Sequence, residues 1–337
     1  MSFNEGVTII VGPNACGKTT VLEGIGVLGT TRSFKGAKDS DLISFGEKNY
    51  YIQSIVENEE SLYKIGVLFS NEGKRVFKND NFLNRLSDYI DCLNVVTFSS
   101  FDFKLVIGSP MMRRNFLNLL AVQLKKGDAQ VFNDYNKILK ERNFLLKKSN
   151  SLLAEKDAKL LDILTTQLID KGKKIIQIRS KIIDLLNEYL GIKFEQLVGI
   201  ENSKLRIQYV PNITVSNYDS IMKENVKEDF NKGTTGFGPH KDDFVFLLND
   251  KNLESHGSQG QQRDALVSLK LAMVHVINDE KNTWPVLLLD DVFSELDPVR
   301  QNNVLTSIDK NVQTIITTTS LSDIEERILS CAHVVKL

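Results

Sequence analysis

Two separated groups of residues in this chain could handle phosphate. In Gly12-Pro13-Asn14-Ala15-Cys16-Gly17-Lys18-Thr19, two glycines, a lysine and a threonine stand at the spacing of a phosphate-binding loop. Gly12 and Gly17 let the backbone turn so that successive N–H groups can face one anion. Lys18 would neutralise the β and γ phosphates of a nucleotide, and the Thr19 hydroxyl would hold Mg2+. Asn14 inside the loop and Thr20 just beyond it are assigned to the same nucleotide. Far downstream, Trp284-Pro285-Val286-Leu287-Leu288-Leu289-Asp290-Asp291 ends an apolar run in two carboxylates. There Asp290 would engage the magnesium, directly or through water, and Asp291 would orient or deprotonate the attacking water. A phosphate loop and an acidic strand leave kinases, GTPases and many ATPases open.

The elements that must position these residues are legible around them. Val7-Thr8-Ile9-Ile10-Val11 reads as a strand feeding the loop, and Thr20-Val21-Leu22-Glu23 as the start of the helix behind it. The run before Asp290 is the pattern of a buried parallel strand. Residues 50–77 alternate apolar and polar residues between turn signals, a meander of antiparallel strands, and Asn94-Val95-Val96-Thr97-Phe98 is a further strand. The period then changes. A helix runs through Phe132, Tyr135, Leu139 and Leu145-Leu146 and stops near Ser149-Asn150-Ser151. A second helix carries Leu161, Leu164, Leu168, Ile175, Ile178, Ile182, Leu185 and Tyr189 at steps of three and four, interrupted at Lys171. Together they read as an antiparallel arm with limbs of a few tens of ångströms at ~1.5 Å per residue. Strand pattern returns at residues 204–210, followed by a polar stretch to residue 232 that reads as loop.

A chain of 337 residues is long enough for two lobes with cores of their own. Its formal charge of -1 says nothing by itself about nucleic acid. Charge is uneven, however: residues 101–185 hold 17 Lys and Arg against 9 Asp and Glu. Within that basic region Arg113, Arg114, Lys147 and Lys148 are the candidates for DNA contact. Neither an apolar run long enough to span a membrane nor the plan of a secretory signal is present, so a cytoplasmic location without membrane association is expected. Cys16, Cys92 and Cys331 are widely spaced, which argues against a disulfide framework or a zinc site, and Cys16 reads as a tolerated small residue in the loop. The sole tryptophan, Trp284, reads as packing.

Two further segments narrow the class. Gly257-Ser258-Gln259-Gly260-Gln261-Gln262-Arg263 opens a long helical pattern, so Ser258, Gly260 and Gln261 stand at a helix N-terminus suited to an anion. Directly after Asp291 comes Val292-Phe293-Ser294-Glu295-Leu296-Asp297, whose Asp297 is also assigned to nucleotide. This ordered set resembles ATPases of the ABC type, and the resemblance implies that the serine-glycine segment of one protomer closes over the γ-phosphate held by the other. Thr31-Arg32-Ser33-Phe34, Gly108-Ser109-Pro110, Arg113-Arg114-Asn115-Phe116-Leu117, Glu141-Arg142-Asn143-Phe144-Leu145-Leu146 and Gly238-Pro239-His240-Lys241-Asp242-Asp243 carry the likeness further. With these motifs the chain is similar, over nearly its whole length, to the RecF family of bacterial recombination-mediator ATPases related to SMC proteins. That similarity implies an ATP-dependent homodimer that binds gapped DNA or single-strand/double-strand junctions. It also implies help in loading RecA together with RecO and RecR, in gap repair and replication restart.

The expected fold class is α/β, an ABC-type ATPase head lobe with a mixed sheet plus a mainly helical second lobe with a short antiparallel coiled-coil arm. Residues 1–98 and 284–337 are assigned to the ATPase lobe, and residues 99–283 to the helical lobe with its arm at about 128–190 and the signature segment. Departures from the family pattern are specific. Members carry a further strand and a Phe-Arg-Asn element ahead of the phosphate-loop strand, so a shortened start is expected here. Asn118 stands where an aspartate is usual, and Lys241 replaces a common arginine. Where ABC ATPases tend to place a histidine after the last core strand, this chain reads Ile315-Ile316-Thr317-Thr318-Thr319, and hydroxyls cannot switch charge as an imidazole does. Weak ATP hydrolysis is therefore expected. The loop around His240, Asp242 and Asp243 is read as ordering the signature helix rather than as a metal site. A P-loop kinase for a small molecule and a transporter's ATPase subunit remain as alternatives, although neither accounts for both the helical arm and the glutamine-rich signature.

Overall fold

The computed structural model describes residues 1–58, 61–148, 155–200, 202–293 and 296–337. In chain order its first part holds β1 (Val7–Val11), α1 (Lys18–Thr30), β2 (Tyr50–Asn58), β3 (Ser61–Ser70), β4 (Gly73–Lys78), β5 (Asn81–Leu83) and β6 (Val95–Phe98). A helical part follows, with α2 (Lys104–Ile107), α3 (Pro110–Leu124), α4 (Asp128–Lys148) and α5 (Glu155–Val198). Next come β7 (Leu205–Val210), α6 (Tyr218–Glu224), α7 (Val226–Lys232), β8 (Asp243–Leu248), β9 (Lys251–Asn252), α8 (Leu253–His256) and α9 (Gln259–Lys281). The chain ends with β10 (Val286–Asp290), α10 (Pro298–Ser307), β11 (Thr314–Thr318), α11 (Glu326–Leu329) and β12 (His333–Lys336).

Strands from the two ends of the chain meet in one parallel sheet of order β12-β1-β11-β10-β6. Their nearly unbroken β-branched and leucine runs follow from burial on both faces. On one face, Ile10, Leu288 and Ile315 pack with Leu22 of α1. Ile9, Leu287, Leu289 and Ile316 join a larger core that includes α5 and α9. The meander forms a separate antiparallel sheet, β2-β3-β4-β5, and Ile65, Val67 and Val76 pack it on Val27 and Leu28 of α1. Parallel and antiparallel strands thus occupy separate ladders joined through one helix.

Helix α5 is longer than its apolar seam suggests, and its C-terminal half belongs to the main core, with Leu186, Leu190 and Leu197 fully buried. The distal ends of α4 and α5 form a small separate cluster around Leu145, Leu146, Leu161 and Leu164, against which Val226 and Phe230 of α7 pack. The turn expected at residues 149–151 lies outside the described residues. Gly172 sits within α5, where a glycine weakens a helix by roughly 1 kcal/mol. Its reason is close approach, since a Cβ there would stand 2.4 Å from the Tyr218 hydroxyl. The polar stretch expected to be loop is instead largely α6 and α7. Each is short and buries few residues, Tyr218 and Met222 on α6 and Asp229 on α7, too few to leave a helical period in a polar sequence.

The Gly-Pro-His-Lys-Asp-Asp segment, expected to order the signature helix, ties together α3, α4, α5 and β7 instead. Asp242 is fully buried and accepts from Arg179 of α5 (3.1 Å), from the Asn212 amide (2.8 Å) and from the Tyr209 hydroxyl of β7. Asp243 takes both ends of the Arg113 guanidinium, at 2.6 and 2.8 Å. Asn118 accepts from Arg179 Nε and Nη2, both at 3.1 Å, so the neutral amide keeps a hydrogen-bonding role at that position. His240 lies 2.7 Å from Tyr135 Oη through Nδ1 and 3.1 Å from the Thr235 carbonyl through Nε2. Since a carbonyl can only accept, Nε2 carries the proton and Nδ1 accepts from Tyr135.

Replacing Arg179 by methionine leaves the Asp242 carboxylate buried without its cation, and urea denaturation should record a loss of about 3–5 kcal/mol. Burial holds the His240 pKa below the ordinary histidine value, with the neighbouring Lys241 and Arg114 adding to the effect. The unfolded chain therefore binds more protons at this site than the folded one, so stability drops as pH falls through about 6.5. In His240→Gln that drop should be shallower, with a remainder from His275, which burial also depresses. Thermal melts between about pH 7 and pH 5 check the slope; an unchanged slope would remove His240 as its cause.

Candidate nucleotide site

The phosphate loop is built as its residues dictate. Strand β1 ends at Val11, Gly17 takes a φ of 103° that only glycine adopts freely, and α1 begins at Lys18. Ala15 also lies in the left-handed region, at φ 65°. Among the described residues, no backbone N–H from Asn14 to Thr20 donates to a protein acceptor, so the loop and the first turn of α1 present a group of free donors. Lys18 is 8% exposed and arches back over the loop, its Nζ donating to the Gly12 and Pro13 carbonyls at 2.8 and 2.9 Å. Gly12, Asn14, Gly17, Lys18, Thr19 and Thr20 are thus brought together as the sequence predicts.

Across the sheet, the Thr19 hydroxyl donates to Asp290 Oδ1 at 3.0 Å, joining residues 271 apart in the chain. Thr317 of β11 donates to the same oxygen at 2.9 Å, which fixes the carboxylate between the two hydroxyls. A magnesium ion on a nucleotide in the loop would find its two protein ligands, hydroxyl and carboxylate, side by side, the oxygen donor set this ion requires. Asp291 departs from the strand with φ 55°, its amide donating to Thr317 Oγ1 at 2.9 Å. The left-handed kink breaks the strand's alternation and leaves Asp291 exposed while Asp290 is half-buried, so the adjacent carboxylates have different surroundings.

The serine-glycine segment is separate from this cluster. Ser258 is the N-cap of α9: its hydroxyl accepts from the Gln261 amide at 3.2 Å, and Gln261 Oε1 accepts from the Ser258 amide at 2.9 Å. This reciprocal capping holds both side chains at an exposed helix start with Gly260 between them. Among the described residues, no hydrogen bond links Ser258, Gly260 or Gln261 to the phosphate loop. Asp297 caps α10, accepting from the Arg300 amide at 2.9 Å and from its guanidinium at 2.5 Å. These bonds hold its pKa below the usual carboxylate value. Ser294 and Glu295 lie outside the described residues.

Sequence reasoning missed two side chains that brace these elements. Arg300 also reaches Asp264 of α9, at 3.0 and 3.2 Å, and so couples the segment after Asp291 to the helix that Ser258 caps. The available signal was Asp264 itself, an acid on the apolar face of α9 that needs a cation. Glu23 of α1 is nearly buried and accepts from Ser33 at 2.5 Å and Lys35 at 2.8 Å, anchoring the Thr-Arg-Ser-Phe segment to the phosphate-loop helix. Arg32 in that segment is exposed.

The basic candidates divide. Lys147 and Lys148 are exposed at the end of α4. Arg113 was expected at a DNA surface and is corrected: only 5% exposed, it pairs with Asp243 and donates to the Gly108 carbonyl at 2.9 Å. An arginine pair in a sequence does not reveal that one member is itself buried against a distant carboxylate. Arg114 is half-buried and donates to the Asp242 carbonyl at 2.7 Å.

Residues 1–334 match the family described as RecF/RecN/SMC N terminal domain. Proteins named DNA replication and repair protein RecF are similar along almost the entire chain. That of Limosilactobacillus reuteri (strain DSM 20016) is 36% identical over 338 residues, covering 97% of this chain and 90% of the relative. That of Shouchella clausii (strain KSM-K16) is 38% identical over 340 residues, with the same coverage. A solved structure of the recombination mediator protein RecF with ATP, described as part of the RecFOR pathway, superposes with a TM-score of 0.87 at 32% identity, covering 96% of this chain and 89% of that one. An Smc head bound to the C-winged helix domain of ScpA shares the fold, with a TM-score of 0.51 at 16% identity and coverage of 96% and 86%. With the phosphate loop, the acidic strand and the capped signature helix in one chain, and with relatives matching end to end, the chain belongs to the RecF family.

Proposed function

We propose that this protein is an ATP-dependent DNA-binding recombination mediator in which ATP and Mg2+ hold two copies of the chain together. The observation that carries this reading is the separation just described. Thr19 and Asp290 meet beside the free N–H groups of the phosphate loop, whereas Ser258, Gly260 and Gln261 are braced, exposed and pointed at nothing in their own loop. A second copy supplies the missing side. Residues 1–98 and 284–337 act as the ATPase lobe, and residues 99–283 carry the arm and the signature segment to the partner. Asp297 acts through Arg300 and Asp264, relaying the state of the segment after Asp291 to the signature helix.

Binding would displace the Lys18 ammonium from the Gly12 and Pro13 carbonyls onto the phosphates, an exchange of neutral acceptors for charged ones. Asp290, with the Thr19 hydroxyl, would hold Mg2+, and exposed Asp291 would act on the attacking water. Thr317 and Thr318 stand where a proton-switching side chain would speed turnover, which supports slow hydrolysis that resets the dimer. The closed dimer binds gapped DNA or single-strand/double-strand junctions, uses Lys147 and Lys148 among its phosphate contacts, and with RecO and RecR assists the loading of RecA.

Light scattering with ATP, ADP or no nucleotide, each with and without gapped DNA, tests the reading: a dimer should form with ATP and be strengthened by DNA, and a monomer in every condition would refute it. DNA affinity should fall steeply and log-linearly with salt as counterions are displaced, and Lys147→Ala with Lys148→Ala should flatten that slope by roughly two phosphate contacts. Asp291→Asn should keep ATP-driven dimerisation and cut single-turnover hydrolysis about 100-fold or more; hydrolysis at the wild-type rate would free Asp291 of the role of base.

A further inference from the structure

A cavity of about 200 Å³ opens between α3, α4, α5 and the turn at Pro239 and His240. It shares no residue with the phosphate loop or the signature segment. Its polar lining comes mainly from Arg114, Arg179, His240, Asn115, Asn118 and Asn136, and no carboxylate lines it. The two arginines and the asparagine amides can donate hydrogen bonds here, the His240 Nε2–H being committed to the Thr235 carbonyl, and the arginines carry permanent positive charge.

The surrounding ion pairs leave one of those charges over. Three guanidinium groups, those of Arg113, Arg114 and Arg179, stand near two carboxylates. Arg113 takes both oxygens of Asp243, and Arg179 pairs with Asp242. Arg114 is left with a main-chain carbonyl, and among the described residues it pairs with no carboxylate. Arg179, which also donates to the neutral Asn118 and, at 2.6 Å, to the Pro239 carbonyl, faces the same cavity. Burial, and then Arg179, disfavours the Arg114 charge in the absence of an anion. A half-buried cation facing a polar hollow without acidic walls is an anion-binding arrangement, because two guanidinium groups reach oxyanions through short charged hydrogen bonds.

We propose that this cavity is a second phosphate site, specific for a phosphate monoester such as the terminal phosphate of a DNA strand. Its volume lies below the ~300 Å³ at which clefts begin to enclose whole small molecules, so a phosphate group fits and a complete nucleotide does not. The cavity is half-enclosed, and an internal phosphodiester, from which chain leaves on both sides, would need an open groove instead. The same chemistry could come from a free phosphate ester. Assignment to a strand end rests on the DNA-binding reading above; the phosphate site itself does not.

The test compares the full-length wild type with Lys18→Ala, Arg114→Gln and Asn118→Asp. Asn118→Asp retains every cation and adds a carboxylate to the wall, so it remains informative if Arg114→Gln fails to fold. Calorimetric titration with inorganic phosphate should show binding that survives Lys18→Ala and falls about tenfold or more in Arg114→Gln and Asn118→Asp. Loss of all phosphate binding in Lys18→Ala, with Arg114→Gln and Asn118→Asp unchanged, would overturn the site. In a second arm, anisotropy compares a labelled duplex with a recessed strand ending in 5′-phosphate or 5′-hydroxyl. About tenfold tighter binding of the phosphate end, abolished in both cavity variants, is the expected result. Equal affinities for the two ends, beside Arg114-dependent binding of inorganic phosphate, would overturn the strand-end assignment and give the site to a free ester. Neither arm depends on ATP-driven dimerisation, so failure of the clamp would leave this result standing.

Discussion

The bond from the Thr19 hydroxyl to Asp290, 3.0 Å long, exists only because β1 and β10 run parallel with β11 between them and end at the same level. That register brings a residue near the start of the chain to one near its end, and the parallel sheet, buried on both faces, holds the two together. Thr317 of the intervening strand donates to the same carboxylate, so all three strands terminate in one polar cluster. Everything at the site follows from this edge. The free N–H groups of the loop flank it, Lys18 covers it, and the kink at Asp291 starts the segment that leads to α10 and its brace on α9.

A second set of constraints lies in the helical part. Arg179 with Asp242, fully buried, and Arg113 with the partly exposed Asp243 form hydrogen-bonded ion pairs that bind helices and strands from three stretches of sequence. Such pairs contribute little net stability against an apolar alternative, but removing one partner is costly, so they fix the relative placement of the elements they join. The same geometry leaves Arg114 without a carboxylate beside a polar cavity. Rigidity on one side of α3 and unsatisfied charge on the other therefore have one origin, two acids set among three arginines.

How far the sequence could be read depended on how local the physics was. The phosphate loop, the cap at Ser258 and the acidic strand were legible because each rests on a few adjacent residues whose backbone demands are specific. The meander and the parallel strands were legible from hydrophobic period. Helices α6 and α7 were not, since burying one or two residues per helix leaves no period. Arg113 was misread for a related reason: its partner lies 130 positions away, and local charge cannot distinguish a solvated arginine from a buried one. The bracing of Asp264 by Arg300 was hidden in the same way, although an acid on the apolar side of a helix signals that some cation must come. The loop around His240 was expected to order α9, but its hydrogen bonds run to α3, α4, α5 and β7, because its partners are set by topology.

The central claim is that each working nucleotide site is assembled from Lys18 and Thr19 of one copy and Ser258 of another. Mixing two defective variants tests it most directly. Lys18→Ala and Ser258→Arg should each fail to dimerise with ATP when alone. In an equal mixture, the intact loop of the Ser258→Arg copy can pair with the intact signature segment of the Lys18→Ala copy, which restores one of the two sites in a heterodimer. Sedimentation velocity of the mixture with ATP should therefore recover a dimer that neither variant forms by itself. A mixture that stays monomeric while the wild type dimerises would contradict the account and return both residues to a site within one chain.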